Sequence, residues 1–589
     1  MTDNENPNVF FSRIKEDKYL LVCFQFQSES FKIDDYCSVV AKLTTTADYL
    51  LNKIVICITN KVKELKDAGG ALGDVDVESI SAKFYSNDCP VSADCLCMDL
   101  PFWVGDEMHL RIGSVRYNIV LNGPCVDEII LPRVIIVGFP ISPFTFKTSY
   151  TNVGDCDFLW YRKKQGDFEL IGNGYSYTPT TEDVGCILKL ICIPGNGDLK
   201  GPKVETESKK CVKEGPKRFP FEDRHIFTQT AAAPGSFRIM TYNILADFCA
   251  GTPNIRKDRF PYCPLHALNI NYRKQLLQKE IIGYNVDIMC LQEVDKSVYQ
   301  DHLLPLLSTR YNGTFKVKGT KITEGLACFY DKSKFRLKEQ HGITLAHELQ
   351  INPRLRNLWT LMKPEVEKIP RFLKASTSLQ IAVLISQEEE DNCVIIANTH
   401  LRSWPEPDYF RALQASVALA YLQSVVGDIS KKMPEKKIAT ILCGDFNSTP
   451  DSCVYELMVN QSIGENHPCW SEVCRPRWPC GSGAAVRNRG TATVAGSNPA
   501  SGMEENKDLK GINLSHSFNF GSAYGTPDFT NYTNDFIGCL DYIFHQKDAL
   551  QILQVVPLPH EEEVKEHEAI PSVVFPSDHL ALIADLCWT

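Results

Sequence analysis

A carboxylate and an amide stand two residues apart, at Asp445 and Asn447, directly after the apolar run 438–442. Because side chains alternate along a strand, both groups leave it on the same side, where their oxygens can face one substrate or one cation. A Gly-Asp-x-Asn segment is also typical of a turn in which the Asp and Asn bond their own backbone. Taken alone, the segment leaves a chemical and a structural role open.

Further polar side chains stand at the ends or starts of other strand-like runs in the C-terminal part of the chain. They are Asn243, Glu293, His400, Asp541, Asp578 and His579. Each of them, taken alone, fits a capping or turn role. Together they are distant in sequence, and each adjoins an apolar strand of one α/β domain, so the pattern predicts a shared site.

These groups suit the hydrolysis of a phosphodiester, which requires charge neutralisation, an activated water and help for the departing oxygen. Glu293 is predicted to bind a hard divalent cation directly, while Asp445 and Asn447 hold a second metal or the water and phosphate. The constellation is rich in oxygen and contains no cysteine cluster. It therefore favours Mg²⁺ over Zn²⁺, with Mn²⁺ able to substitute.

The remaining groups are predicted to act on protons and phosphate oxygens. Asp445 is the candidate for proton transfer at the attacking water, with pure metal ligation as the alternative. His579 would contact the scissile phosphate, oriented or charged by Asp541, and a surface pair with the preceding aspartate is the alternative. His400 and Asn243 would donate hydrogen bonds to phosphate oxygens.

The strands and helices that would position these side chains are predicted from the hydrophobic pattern of the chain. Residues 238–245 predict a strand, 272–283 a helix and 286–291 a strand, and this rhythm continues to the C-terminus. It indicates a layered α/β domain at 237–589. The tract 475–510 is rich in Gly, Ala, Ser and Arg and has no hydrophobic period, so a disordered insertion is predicted there.

Three regions precede this domain. Residues 1–130 mix strand-like and helix-like runs and predict a small α+β module. Residues 131–212 show short alternating strands, with Trp160 followed by a Tyr and an Asp-x-Gly corner, which is typical of an immunoglobulin-type sandwich with an accessory role. Residues 213–236, rich in Gly, Pro and Ala, predict a linker.

Composition, net charge and cysteine content limit the kinds of protein that this chain can be. Hydrophobic residues at 44% and charged residues at 23% of 589 positions indicate a soluble globular protein, without an apolar run long enough for a membrane span. A net charge of -10 requires that any nucleic acid be held by local cations or bound metal. The 23 cysteines are odd in number and often lie in apolar runs, which favours free thiols over disulfides. Cys95 and Cys97 have no second pair at zinc-site spacing.

The order of the motifs resembles the endonuclease/exonuclease/phosphatase superfamily, and its deadenylase branch in particular. The resemblance is strong over 237–589 and weaker over 130–230. It includes the segments 262–263, 290–295, 324–327, 443–450, 557–559 and 571–572. It implies a four-layer α/β sandwich, preceded by the Ig-like β-sandwich and the small α+β module. It also implies a Mg²⁺-dependent phosphodiesterase and 3'-exoribonuclease that releases 5'-AMP from 2',5'-oligoadenylates and from 3',5' poly(A) tails of RNA.

The resemblance extends to a base pocket. The deadenylase branch grips the terminal adenine between a proline and a phenylalanine, which correspond to Pro405 and Phe536. Loop rigidity and core packing are the alternative roles of these two residues. The chain departs from the family after the histidine, because the family usually has an aromatic pair one position earlier. Arg402 in this segment either contacts phosphate or is solvated. Arg411 and Gln414 match the family spacing and are predicted to brace this loop.

Two other interpretations stay open. The same catalytic groups could act on an inositol phosphate, a sugar phosphate or abasic DNA, although Pro405 and Phe536 and the absence of a basic patch argue against these. The chain could also be an inactive scaffold that binds protein partners, against which the complete set of polar positions argues. No membrane association and no obligate protein partner is expected. The resemblance implies the mitochondrial matrix, although no presequence is visible, and the cytoplasm is the alternative.

Overall fold

The computed structural model describes residues 6–14, 18–28, 33–67, 80–100, 107–164, 166–251, 259–319, 322–403, 407–471 and 509–589. They belong to two compact units, Met1–Glu214 and Gly215–Thr589. Two predictions fall outside these residues. Pro405 is one, and the other is the insertion at 475–510, of which only the last two residues are described.

The first unit begins with a seven-stranded sheet and one long helix. The helix Ala47–Asp67 buries Leu50, Ile54, Ile58 and Val62, which repeat at helical spacing and pack in the same core as the sheet. In spatial order the strands are Ile33–Lys42, Tyr19–Ser28, Asn8–Ile14, Val115–Leu121, Met108–Ile112, Ala82–Ser86 and Cys89–Pro90. A short 3-10 turn covers Cys97–Asp99.

A β-rich part follows in the same unit and fits an Ig-like module. One sheet contains, in spatial order, the strands Asp167–Asn173, Asp157–Lys164, Leu188–Ile193 and Val204–Glu207. Two further strand pairs are Cys125–Ile130 with Thr145–Ser149 and Gly195–Asn196 with Leu199–Lys200. Short 3-10 turns cover Val153–Asp155 and Thr181–Asp183. Trp160 is fully buried and stacks on Tyr177, whose hydroxyl donates to Asp183 at 2.6 Å. These two contacts form the predicted corner around a core tryptophan.

The boundaries differ from the sequence prediction in two places. The strand Cys125–Ile130 pairs with Thr145–Ser149, so it belongs to the β-rich part. That part therefore begins one strand before the boundary predicted at residue 130. Part of the predicted linker is folded, with a helix at Pro220–His225 and a 3-10 turn at Ile226–Thr228. The buried Arg224 donates to the carbonyls of residues 557 and 581 and to the hydroxyl of residue 284, which anchors this segment in the second unit.

The second unit consists of two facing six-stranded sheets. Sheet 1 contains, in spatial order, Tyr311–Val317, Glu324–Asp331, Ile288–Asp295, Ser236–Asn243, Leu582–Trp588 and Leu550–Val555. Sheet 2 contains Phe335–Thr344, Ser378–Ser386, Asn392–His400, Lys437–Asp445, Asp541–Gln546 and Phe520–Ser522. Ile239 and Ile288 of sheet 1 pack in one core with Ile396 and Ile441 of sheet 2.

Helices cover the outer face of each sheet. On sheet 1 they are Ile270–Gly283, Lys296–Val298, Tyr299–Leu303 and Leu304–Leu307. The short helices Asp247–Gly251 and Leu265–Leu268 lie between the strand Ser236–Asn243 and Ile270–Gly283 in sequence. On sheet 2 they are Leu345–Ile351, Pro353–Leu355, Arg356–Val366, Pro370–Leu373, Asp408–Lys432, Cys453–Asn460 and Pro468–Trp470. The helix Glu561–Lys565 and the strand pairs Ser462–Ile463 with Leu514–Ser515 and Asn531–Tyr532 with Ile537–Gly538 complete the unit. This arrangement confirms the four-layer α/β sandwich.

Among the described helices, only Asp408–Lys432 is long and apolar enough to cross a membrane. However, 67% of its most apolar window is buried inside the unit. Leu413, Val417 and Leu422 belong to the core that covers sheet 2. Its apolar composition is therefore that of a core helix of the sandwich.

Candidate active site

Strand pairing brings the predicted polar groups to one end of the two sheets. In sheet 2, the parallel pairing of Asn392–His400 with Lys437–Asp445 sets His400 beside Asp445. The next strand runs antiparallel and sets Asp541 on the other side of Asp445. In sheet 1, parallel pairing sets Asn243 beside Gln292, the residue before Glu293. The register alone therefore gathers side chains that are far apart in sequence.

Asn243 joins the two sheets at this end. Its Nδ2 donates to Asp445 Oδ2 at 3.0 Å and to Glu293 Oε1 at 3.4 Å. Its Oδ1 accepts a hydrogen bond from the backbone N of Leu245 at 3.1 Å, which fixes the orientation of the amide. Nδ2 of Asn243 thus contacts one carboxylate from each sheet.

Glu293 leaves its strand at a bulge. The strand register shifts between Leu291 and Val294, and Glu293 itself has a φ of 54°, a conformation that is uncommon outside glycine. Its Oε2 accepts the backbone N–H of Ala246 at 2.9 Å. Burial opposes ionisation, but the Ala246 N–H and the charge of Lys318 favour the carboxylate and lower the pKa of Glu293. Glu293 is therefore ionised at neutral pH.

Asp445 lies between two imidazoles. Its Oδ2 is 3.6 Å from His400 Nε2 and 3.7 Å from His579 Nε2, and its Oδ1 accepts the backbone N–H of Asn447 at 2.8 Å. Burial raises the pKa of Asp445 to about 7; His579 acts against this rise and Asp541 adds to it. A carboxyl group with this pKa can take up and release a proton near neutral pH.

The two imidazoles differ in charge. His579 Nδ1 donates to Asp541 Oδ2 at 2.8 Å. Burial opposes a positive charge on His579, but the carboxylates of Asp541 and Asp445 outweigh it and raise the pKa of His579 well above its ordinary value. Burial and the nearby Lys318 lower the pKa of His400 to about 3. Lys318 Nζ lies 3.5 Å from His400 Nδ1, and because an ammonium group only donates, the hydrogen of the neutral ring is on Nε2. A cationic and a neutral N–H donor thus flank Asp445.

Three site residues are absent from the sequence prediction. Lys318 forms an ion pair with Glu324 at 3.0 Å, and Thr530 Oγ1 donates to Asp541 Oδ2 at 2.6 Å. Glu324 begins the segment 324–327 that contributes to the family resemblance, and this signal could have found it. Lys318 and Thr530 stand in connecting segments without a pattern, and they reach the site only through the pairing of the strands beside them.

The loop residues around the site have mainly structural contacts. Asn447 has a φ of 47° and donates from Nδ2 to the carbonyl of Leu401 at 3.0 Å, so the turn alternative also holds for the 445–447 segment. Arg402 is exposed, and its backbone N donates to Gln414 Oε1 at 3.0 Å. Arg411 donates to the side chain of Ser448 at 3.2 Å. Both predicted bracing residues therefore contact loops of the site.

Phe536 and Asp578 lie on segments that adjoin His579. Phe536 is half-buried on the hairpin 531–538, and Asn531 of this hairpin pairs with His579. A Cβ at Gly538 would come within 2.7 Å of the Phe536 ring, so the ring lies directly over that glycine. Burial raises the pKa of Asp578, although His579 acts in the other direction. Because Asp578 and His579 are both buried, the surface-pair alternative is wrong.

The donor set fits a hard divalent cation. Two groups have ligand atoms within 4.8 Å of one another: Glu293 with Glu324 and His400, and Asp445 with Asp541 and His579. Asp541 Oδ1 and Glu324 Oε2 are buried without a hydrogen-bond partner among the described residues. Buried oxygens of this kind require a water or an ion as partner, and carboxylate oxygens suit Mg²⁺ or Mn²⁺.

A buried amide pair links the sheets behind the site, and its loss should destabilise the fold. Gln292 Nε2 donates to Asn398 Oδ1 at 2.8 Å, while Asn398 Nδ2 contacts the carbonyls of Leu291 and Ala327 at 3.2 Å. Asn398→Ala should lower the free energy of unfolding by about 1–3 kcal/mol, because it leaves buried polar groups unpaired. Urea unfolding would measure this. The double variant with Gln292→Leu should lose less than the sum of the single variants, and additive losses would show that the pair does not interact.

Two family models match the chain. The model described as "Endonuclease/Exonuclease/phosphatase family" matches residues 240–579, a range that contains every residue of the site described above. The chain belongs to the endonuclease/exonuclease/phosphatase family. A second model, "2',5'-phosphodiesterase 12-like, N-terminal domain", matches residues 123–213, which include the strand Cys125–Ile130. Both matches agree with the resemblance predicted from the motifs.

Individual relatives extend this result. The 2',5'-phosphodiesterase 12 of Rattus norvegicus is 37% identical over 528 residues, covering 86% of this chain and 80% of the relative. The carbon catabolite repressor protein 4 homolog 2 of Arabidopsis thaliana is 26% identical and covers 70% of each chain. The crystal structure of ANGEL2, a 2',3'-cyclic phosphatase, aligns with a TM-score of 0.44 and 22% identity over 60% of this chain and 95% of that one.

This membership decides between the enzyme and the scaffold interpretations. The endonuclease/exonuclease/phosphatase family is one of metal-dependent enzymes, and the chain is a hydrolase that acts on phosphodiester bonds. The phosphodiester hydrolysis predicted from the strand ends and the exonuclease class implied by the resemblance are thereby confirmed.

Proposed function

We propose that the protein is a Mg²⁺-dependent 3'-exoribonuclease and phosphodiesterase that releases 5'-AMP from 2',5'-oligoadenylates and from 3',5' poly(A) tails of RNA. The observation that carries the proposal is the meeting of Asn243, Glu293, Asp445 and His579 in one buried cluster. The name of the relative 2',5'-phosphodiesterase 12 supports the 2',5' linkage. The deadenylase motifs, with Phe536 at the expected spacing, support an adenylate at the cleaved end.

Glu293 and Asp445, with Asn447 beside them, would hold the cation, because Glu293 Oε1 and Asp445 Oδ2 meet at the same amide nitrogen, Nδ2 of Asn243. When bound, Mg²⁺ supplies positive charge that polarises the phosphoryl oxygens. Mn²⁺ should support activity as well, since it accepts the same oxygen ligands. The negative charge of the protein makes this local positive charge important for a polyanionic substrate.

The side chains of the site would transfer the proton of the attacking water and bind the phosphate oxygens. Asp445 takes a proton from the attacking water as the water oxygen bonds to phosphorus and the ribose oxygen departs. The imidazolium of His579, kept charged by Asp541, donates from Nε2 to a phosphate oxygen. Neutral His400 donates from Nε2 to a second oxygen, and Asn243 holds Asp445 in place.

A substrate comparison tests the proposal. Purified protein with Mg²⁺ should release AMP from a 2',5'-linked adenylate trimer and from poly(A), measured by ion-exchange chromatography of the products. Removal of divalent ions with EDTA should abolish release, and added Mn²⁺ should restore it. A protein that leaves both adenylates intact but dephosphorylates an inositol phosphate would instead support the alternative substrate class.

Replacing Phe536 with Ala should raise KM for the adenylate trimer by about 5- to 150-fold and change kcat less. Stacking of a base on an aromatic ring contributes about 1–3 kcal/mol, which this substitution removes. Phe536→Tyr keeps the ring and should retain a KM close to that of the parent. If the ring only packs over Gly538, Phe536→Ala would lower the melting temperature and leave KM unchanged.

We also propose, from the family resemblance alone, that the protein acts in the mitochondrial matrix, with the cytoplasm as the alternative. Fractionation of cells, followed by immunoblotting of the native protein, would distinguish the two compartments.

A further inference from the structure

Three metal-ligand side chains meet in the helical layer outside sheet 2 and take no part in the active-site cluster. They are Cys453, His467 and Cys469, whose ligand atoms all lie within 4.8 Å of one another. Cys453 opens the helix Cys453–Asn460, and Cys469 lies in the turn Pro468–Trp470. Both cysteines are buried, at 2% and 4% exposure. Both belong to the core that covers sheet 2.

We propose that Cys453, His467 and Cys469 bind one Zn²⁺ ion. Two sulfurs and an imidazole are the donors that Zn²⁺ prefers, in contrast to the oxygen-rich active site. With Zn–S and Zn–N bonds of about 2.3 and 2.0–2.1 Å, the ligands of a tetrahedral ion lie about 3.6–3.8 Å apart. The three ligand atoms lie within 4.8 Å of one another, so a shift of about 1 Å or less brings them to this spacing. The fourth position suits solvent, because the side chain of His467 is 20% exposed.

The imidazole is held in the tautomer that a metal requires. His467 Nε2 lies 3.0 Å from Glu456 Oε2, and His467 Nδ1 accepts the backbone N–H of Cys469 at 3.2 Å. The ring hydrogen is therefore on Nε2, and the lone pair of Nδ1 is on the side of Cys469. A carboxylate that accepts the second N–H of a ligand histidine is the usual support of a zinc site. Binding of Zn²⁺ would replace the long bond from the Cys469 amide.

The two cysteines could alternatively form a disulfide, and the structure favours the metal. A disulfide needs the sulfurs to approach to about 2.05 Å with a restricted dihedral angle. It also needs an oxidant to reach the sulfurs, whereas redox-active cysteines are generally exposed. Cys453 and Cys469 are both nearly fully buried, and His467 supplies a third donor that a disulfide would not use.

The site would brace segments that leave sheet 2 at the active site. Tyr409, in the first turn of the helix that follows the His400 loop, stacks on Trp470 with ring centroids 6.4 Å apart. Arg411 in the same helix donates to Ser448, which lies between Asp445 and Cys453 in sequence. An ion joining Cys453 to Cys469 would tie the end of the Asp445 loop to the turn on which Tyr409 rests.

Metal analysis of the full chain tests this site. Protein loaded with Zn²⁺ under reducing conditions and dialysed against a chelator of micromolar affinity should retain one ion per chain by mass spectrometry. Cys453→Ser and Cys469→Ser should lose that ion, while Cys211→Ser, at an exposed cysteine, should keep it. Asp445→Asn should also keep it, which separates this site from the catalytic cluster. Co²⁺ in place of Zn²⁺ should give the sulfur-to-metal absorption of a tetrahedral thiolate site.

Stability provides an independent readout. Added Zn²⁺ should raise the melting temperature of the parent and of Cys211→Ser, and it should leave Cys453→Ser and Cys469→Ser unchanged. Equal zinc content in the parent and both serine variants would overturn the proposal, as would a parent that retains no zinc. A Cys453–Cys469 disulfide in protein isolated without reductant, detected by peptide mapping, would overturn it in favour of a redox pair. None of these measurements depends on the substrate of the active site.

Discussion

Replacing Glu293 with Gln should lower kcat/KM for the adenylate trimer by about 1,000-fold, the equivalent of about 4 kcal/mol of transition-state stabilisation. The substitution preserves the shape of the side chain, and the new amide oxygen can still accept the N–H of Ala246. It removes the one carboxylate of the cluster whose pKa is lowered and which is therefore charged at every pH of interest. Initial rates of AMP release across a range of Mg²⁺ concentrations would measure the loss.

The Mg²⁺ dependence shows which role Glu293 has. If it binds the cation, Glu293→Gln should need more Mg²⁺ to reach half of its own maximal rate. Asp445→Asn should instead lower kcat by about 10²–10⁴-fold at saturating Mg²⁺, as expected when a proton acceptor is lost. Glu367→Gln, at an exposed position, is the matched control and should behave as the parent. Parent-like activity of Glu293→Gln at all Mg²⁺ concentrations would refute its assignment as a ligand.

The sequence predicts the components of the site because strand ends are visible in it. Apolar runs show where a strand stops, and the side chain that follows emerges at the sheet end, as Asn243, His400 and Asp445 do. Parallel pairing then aligns these ends. Lys318 and Thr530 cannot be predicted in this way, because they stand in connecting segments and reach the site only through tertiary contacts.

The charge states of the site are equally inaccessible from the sequence. His400 and His579 both follow apolar strands or precede them, and nothing local distinguishes the two rings. Their different neighbours do: Lys318 faces His400, and Asp541 faces His579. The sequence similarly predicts a layered α/β domain from its strand and helix rhythm but misses the anchoring of Arg224, whose buried partners come from chain-distant segments.

Asp541→Asn should lower kcat by about 10²–10³-fold at neutral pH, the cost of losing one fixed donor to the developing charge. Asp541 is the strongest of the groups that raise the pKa of His579 against its burial. Without that charge, the pKa of His579 falls, and the ring loses its second proton as the pH rises through the lowered value. Activity of the variant should therefore recover partly as the pH falls, until protonation of Asp445 opposes it. A pH profile of kcat for both proteins would measure this.

A double-mutant cycle separates an indirect role of Asp541 from a direct one. If Asp541 acts only by charging and orienting His579, Asp541→Asn should cost nothing further in a His579→Gln background. If its unpaired Oδ1 binds the cation instead, the two losses should multiply, and the double variant should need more Mg²⁺ than His579→Gln alone. Thr530→Val, which removes the 2.6 Å hydrogen bond to Asp541 but no charge, should cost less than Asp541→Asn in either case. Because charge and orientation both pass through the 2.8 Å contact between Asp541 and His579, a non-multiplicative result would identify Asp541 as a positioning residue.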